Sequence, residues 1–302
     1  MQRHGGTGKS IDREITDPAA VERNSGSTPI PVPGRTVMPR SACVPCSVRD
    51  RPARQSRRSV LAAAYERDDG PVIYSERATL IAGATLWRCN AEPAPKPGLI
   101  LPDGCLDLVW DGARLFVAGP DSTARWHQSK AELSYVALRF SGGTGPALLG
   151  VSADEVRDRT PDLDELWSSG EVRRLAERVA ANPVAALETW MVEQAASRKL
   201  DPLGSRVLEM ATVGMPIAAM AERLGLSTRQ LHRRCLPVFG YGPRRLARIL
   251  RMGRALEKAR AGAPLAHVAA TCRYVDQAHL CREVRALAGT TPAQLLQELD
   301  AR

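Results

Sequence analysis

Arg229, His232, Arg233 and Arg234 fall outside the apolar stripe set by Leu231 and Cys235. Gln277, Ala278, Cys281, Arg282 and Arg285 fall outside the stripe of Leu280, Val284 and Leu287. The guanidinium groups in these two sets are forked hydrogen-bond donors, and the Gln277 amide offers a donor beside an acceptor, suited to phosphate oxygens and to the edges of purine bases. A third set, Arg244, Arg245, Arg248, Arg251, Arg254, Lys258 and Arg260, lies outside the stripe of Leu246, Ile249, Leu250 and Leu256. Alone, an arginine-rich stretch of helical period is often only a solvated face. Between two donor-bearing helices it reads as a surface that holds phosphates and fixes register.

The elements that must position these groups are legible in the punctuation. Ile217, Met220, Ala221 and Leu224 recur at helical spacing, and Gly225 marks a tight turn. Ser227 and Gln230 then form a capping box that starts a second helix. The pattern repeats downstream. Pro264 opens a helix with a stripe of Leu265, Val268, Ala269 and Cys272, and Asp276 caps the helix after it. Pro243 and Gly262 bound the arginine-rich helix between the two units. Thr291, Pro292 and Gln294 make one more helix start.

The stretch TCRYVDQAHLCREVRALAGTTPAQ, with its D-Q-x-H-L-x-R core and G-x-T-P close, resembles the second helix-turn-helix signature of the AraC/XylS family of bacterial transcription regulators. The resemblance covers roughly residues 205 to 298. It implies that Arg229, His232 and Arg233 face bases from the first unit, and Gln277, Ala278, Cys281 and Arg282 from the second. Ser227, Arg234, Arg244, Arg245, Arg248, Arg251 and Arg285 are then expected at phosphates. Two positions depart from the family pattern. Arg273 stands where Gly is usual, which predicts a looser or strained turn, and Pro237 predicts an early end to the first recognition helix.

Charge is distributed to match. Residues 201–302 hold 16 basic and 8 acidic residues, residues 61–200 hold 15 and 20, and residues 1–60 hold 11 and 5, within a net charge of +9. A net positive balance is thus confined to the first 60 residues and the DNA-reading region, where it supplies salt-dependent affinity. No apolar run reaches the ~20 residues of a membrane span, and no signal peptide is evident, so a cytoplasmic protein is expected. Seven scattered cysteines suit reduced, cytosolic usage rather than a disulfide framework. Cys43 and Cys46 form a C-x2-C pair with only His4 nearby, short of a four-ligand zinc site. Residues 1–70, rich in Arg, Pro, Ser and Gly, read as a disordered basic tail, within which Met38 is an alternative start.

From about Val72 short apolar runs alternate with Gly, Pro and Asp. ATLWRC (84–89), GLILP (98–102), LDLVW (106–110), RLFVAG (114–119) and LSYVALRF (133–140) read as strands, with a hairpin turn at Asp111-Gly112. ILPDGCLDLVWDGARLFVAGPD resembles an N-terminal sensor-like domain of uncharacterised function found on some AraC-type regulators. In the better-known members the corresponding domain is a cupin-like barrel that binds a small effector and carries dimer contacts. A metal-dependent cupin needs several histidines, and this region has only His127. In PDGCLD, Asp103, Cys105 and Asp107 most simply make a turn and enter a strand. Trp87, Cys105, Trp110 and Trp126 are candidate walls of an effector pocket. Residues 145–198 return to helical spacing, with capping-box residues Ser152 and Glu155 and stripes at Val172, Leu175, Val179 and at Leu187, Met191, Ala195.

The expected architecture is α+β: a β-rich barrel or sandwich at 71–145, a helical linker or dimerisation segment at 146–200, and an all-α double helix-turn-helix domain at 201–302. Binding rather than catalysis is expected, with no cofactor and no metal. The partners are double-stranded DNA, a small effector, a second copy of the chain, and RNA polymerase if the protein activates. Two alternatives stay open: an architectural DNA binder without a ligand, and a DNA-repair alkyl-transfer protein, which would need a zinc-bound cysteine cluster.

Overall fold

The computed structural model describes residues 74–90, 98–127 and 133–300. The basic tail, Met38, His4 and the Cys43–Cys46 pair lie outside the described residues. Seven strands come first among them: β1 Tyr74–Ala78, β2 Ala84–Asn90, β3 Gly98–Ile100, β4 Leu106–Trp110, β5 Leu115–Ala118, β6 Arg125–His127 and β7 Ser134–Phe140. Five make an antiparallel sheet in the order β1-β2-β7-β4-β5, and β3 pairs with β6 as a separate ribbon. The sheet ends in β1 and β5, so the β-rich unit is an open sheet plus ribbon and not a closed barrel. The Asp111 turn forms as expected: Asp111 N–H donates to the Arg114 carbonyl at 3.2 Å, and its Oδ1 accepts from Ala113 and Arg114.

Alternation divides the sheet. Leu106, Leu108 and Trp110 of β4 and Val136, Leu138 and Phe140 of β7 face one way, into a core shared with three helices. These are α1 Thr144–Leu149, α2 Ser169–Ala181 and α3 Pro183–Ser197. Leu175, Val179, Leu187 and Met191 all enter that core, so the segment expected as a linker is the covering layer of the sheet. One expected helix start is absent. Residues 151–160 run as turns, and the Ser152 hydroxyl bonds Asp154 rather than capping a helix. The real cap is at Ser168 and Glu171, ahead of α2.

The C-terminal part has seven helices: α4 Leu203–Thr212, α5 Ile217–Arg223, α6 Thr228–Phe239, α7 Pro243–Arg260, α8 Leu265–Thr271, α9 Gln277–Ala288 and α10 Pro292–Asp300. Met220, Leu231, Cys235, Leu246, Ile249, Val268, Leu280 and Val284 converge in a single core. That core also takes Leu99 and Leu101 from the sheet unit. Among the described residues no helix is long and apolar enough to cross a membrane.

Candidate nucleic-acid interface

The first helix-turn-helix unit is α5 and α6. Gly225 occupies the turn at φ 66°, and Leu226 N–H closes it onto the Ala221 carbonyl at 2.9 Å. Ser227 Oγ accepts from Gln230 N–H at 3.1 Å while Gln230 Oε1 accepts from Ser227 N–H at 2.8 Å. The hydroxyl and the amide of Ser227, expected at a phosphate, therefore also serve the cap. Arg229, His232, Arg233 and Arg234 are exposed on α6. Arg229 and Arg233, one turn apart, have no partner among the described residues, whereas Arg234 pairs with Asp201 at 3.2 Å. The His232 ring lies against the next turn, where a Cβ on Gly242 would collide with its Nδ1.

The expected early end of α6 does not occur. Pro237 sits inside the helix, which runs on to Phe239 and closes at Gly240 in the left-handed region. A proline within the last turn removes one N–H and one intrahelical bond, and the flanking turns hold the helix together here.

The second unit, α8 and α9, repeats the geometry. Asp276 caps α9 by accepting from His279 N–H at 2.5 Å, and His279 Nδ1 accepts from Val275 N–H at 3.2 Å. Gln277, Ala278, Arg282 and Arg285 are exposed, and Cys281 is half-buried. The turn is as tight as the first, contrary to the loosening expected. Arg273 holds φ 61°, and Tyr274 N–H reaches the Ala269 carbonyl at 2.9 Å. The strain half of the expectation stands, because a side chain occupies left-handed backbone.

The connecting helix α7 uses its arginines in two ways. Arg244 is exposed and Arg245 half-buried, neither with a partner among the described residues. Arg248 and Arg251 instead grip Glu283 of α9, at 2.9 and 3.1 Å. Arg251 also lies 4.4 Å from the Tyr274 ring centre. Burial works to raise the Glu283 carboxyl, but hydrogen bonds and charge from Arg248 and then Arg251 outweigh it and hold it below its ordinary value. Nothing in the local sequence announces this anchor, since Glu283 lies far along the chain from both arginines.

The sheet unit touches the far ends of both capped helices. The last carbonyls of a helix have no intrahelical donor. At α6 the Pro237 carbonyl accepts from Ala153 N–H at 3.0 Å, and the Gly240 carbonyl accepts from Arg157 Nη1 at 2.8 Å. At α9 the Leu287 carbonyl accepts from Ala124 N–H at 2.7 Å. The approach is so close that a Cβ on Gly204 of α4 would overlap the Gly142 carbonyl oxygen.

Between the sheet unit and helices α4 and α7 lies a cavity of about 470 Å³, bordered by Leu99, Leu101, Cys105, Arg139, Ile249 and Met252. A smaller one of about 150 Å³, bordered by Trp87, Cys105, Tyr135 and Arg139, opens on the other sheet face. Of the four expected pocket walls, Trp87 and Cys105 border a cavity. Trp110 borders neither of these two, because its parity with Leu106 and Leu108 turns it into the helix-covered core. Trp126 is 63% exposed on the ribbon.

Asp107 and Arg139 face each other across β4 and β7 in a forked pair at 3.1 and 3.2 Å, and Trp87 Nε1 donates to Asp107 at 3.4 Å. Asp103 Oδ1 accepts from Cys105 N–H at 2.9 Å, the turn expected there. Burial, then the Asp103 charge, pushes the Cys105 thiol above its ordinary value. Among the described residues no group of three or more His, Cys, Asp or Glu is placed to hold a metal ion.

Residues 220–298 match the model of a helix-turn-helix domain, and residues 83–162 match a domain of unknown function, DUF6597. No curated protein matches the chain. Among solved structures, a probable AraC family transcriptional regulator from Rhodopseudomonas palustris CGA009 is similar at 22% identity. It covers 33% of this chain and 98% of its own, with a TM-score of 0.29. A DNA-binding transcriptional dual regulator from Escherichia coli K-12 is similar at 24% identity, over 34% and 98%, with a TM-score of 0.30. ToxT from Vibrio cholerae O395 is similar over 76% of this chain and 99% of its own, at 9% identity and a TM-score of 0.38.

Proposed function

We infer that the C-terminal third of the chain is an AraC-type helix-turn-helix domain and the protein a DNA-binding transcription regulator of that type, a reading supported by the match of residues 220–298 to a helix-turn-helix domain. From this premise we propose that both helix-turn-helix units read DNA, and that a small effector acts through the sheet unit. The observation that carries the first part is the pair of N-capped helices, each with an exposed polar face, on one shared core. Arg229, His232 and Arg233 then read base edges from α6, and Gln277, Ala278, Cys281 and Arg282 from α9. Arginine suits guanine and glutamine suits adenine in the major groove. Arg244, Arg245 and Arg285 hold phosphates and set register.

Two reading helices fixed on one core engage successive major grooves, which recur about every 10 base pairs, so one chain reads a bipartite element of roughly 20 base pairs. Selection of bound duplexes from a randomised library tests this. The expected product is a bipartite, non-palindromic element whose affinity collapses when five base pairs are inserted between its halves. Affinity that survives the insertion assigns all specificity to a single unit.

The effector reading draws support from the cavity of about 470 Å³ between the sheet unit and α4 and α7. A ligand there touches both parts at once and shifts the protein only through its differential affinity for two arrangements of them. A cytoplasmic homodimer binding two copies of the element completes the proposal.

A further inference from the structure

We infer that Arg273 is a positioning residue that sets the spacing between the two reading helices, an inference that rests on the two-headed reading above. The first head closes the same turn with Gly225, at φ 66° and with the same 2.9 Å bond. A glycine is therefore sufficient for the turn, and the Arg273 side chain adds nothing to its closure. What the side chain adds is a contact with the other head. Its Nη1 donates to the Gly214 carbonyl at 3.0 Å, in the turn between α4 and α5.

Gly214 is itself in the left-handed region at φ 72°, and a Cβ there would stand 3.3 Å from that same Nη1. Two unusual backbone positions, one in each head, thus meet at one hydrogen bond. The contact is tied back to the second recognition helix. The Arg273 carbonyl accepts from Arg251 Nη1 at 3.4 Å, and Arg251 Nη2 holds Glu283 of α9 at 3.1 Å. The path from Gly214 through Arg273 and Arg251 to Glu283 braces α9 against the entry of the first unit, in parallel with the shared core. Strained backbone persists where the surroundings over-determine it, and here the surroundings are the neighbouring head.

The test uses full-length wild type, Arg273→Gly and Arg273→Lys on the selected duplex and on duplexes with one or two base pairs added or removed between its halves. Arg273→Gly relieves the left-handed backbone, so its melting temperature is expected to hold or rise. Its affinity at the native spacing stays close to wild type, while the penalty for altered spacing shrinks about two- to tenfold, the worth of one such hydrogen bond. Arg273→Lys, which keeps a cationic donor on a long side chain at this position, is expected to restore at least part of the penalty. An Arg273→Gly protein that keeps the wild-type spacing profile overturns the inference alone. So does one that weakens equally at every spacing as its melting temperature falls. A wild type indifferent to spacing overturns both this inference and the two-headed reading.

Discussion

Arg229 and Arg233 are the side chains of the first head most available for base reading, since neither has a partner among the described residues. Arg233→Ala is expected to cost about 1–3 kcal/mol on the preferred duplex and to relax one base position. A binding panel of single-base variants checks this, and uniform weakening across the panel would make Arg233 a phosphate contact. Helical period alone exposed these arginines to a reader of the sequence. The partners of Arg248 and Arg251 were hidden, because Glu283 is a neighbour only after α9 folds back onto α7. Arg139 did carry a signal: it shares the parity of Tyr135 and Ala137 in an apolar strand, and a buried arginine needs a carboxylate opposite, which Asp107 supplies.

Asp121 gives a prediction in pH. Burial raises its carboxyl to about 6, with Asp103 and Asp158 adding to the rise and Arg125 opposing it. The folded carboxyl holds its proton more tightly than the unfolded chain, where Asp titrates near 3.9. Its contribution to stability is therefore largest below about pH 4 and is lost as pH rises through about 6. Against wild type, Asp121→Asn should gain melting temperature between pH 4.5 and 7.5. Parallel melting profiles across that range would remove Asp121 as the cause.

At the scale of elements, caps and turns were the most readable features: Ser227, Asp276, Pro243 and Gly225 each sit where the sequence puts them. Strands β1 and β6 were not read, because YSERA is an exposed edge and RWH is only three residues long. Pro237 misled because its neighbours hold the last turn of α6 in place, and Ser152 misled because Asp154 captures its hydroxyl. The two classes of arginine on α7 separate in a salt titration. Replacing Arg244 and Arg245 by Ala should flatten the salt dependence of binding by about 0.9 log units per log unit of salt for each phosphate no longer neutralised. Arg248→Ala should leave that slope unchanged and lower the melting temperature instead, since it loosens α7 from Glu283.

For the whole molecule, the two larger cores were visible in the sequence as a change of period from two to three and four, but the joint between them was not. Gly142, Gly143 and Gly204 look like ordinary loop and helix glycines until α4 and α6 come within reach of the loop after β7. Gly204→Ala should destabilise the protein by about 1–3 kcal/mol, the range for overpacking. Gly253→Ala, in open space on α7, should stabilise it by about 0.5–1 kcal/mol. A thermal melt of the pair separates the close joint from simple helix propensity. The joint has a further property. At Pro237 and Leu287 the donors that reach the reading helices are the main-chain amides of Ala153 and Ala124. Both residues are already alanine, so a conventional alanine scan passes over them, and any side chain put in their place keeps the N–H. Only proline deletes the donor. At these two points the contact is written in backbone, so a mutational screen finds it only if proline is among the substitutions tried, whereas the Arg157 side chain at Gly240 is within reach of an alanine scan.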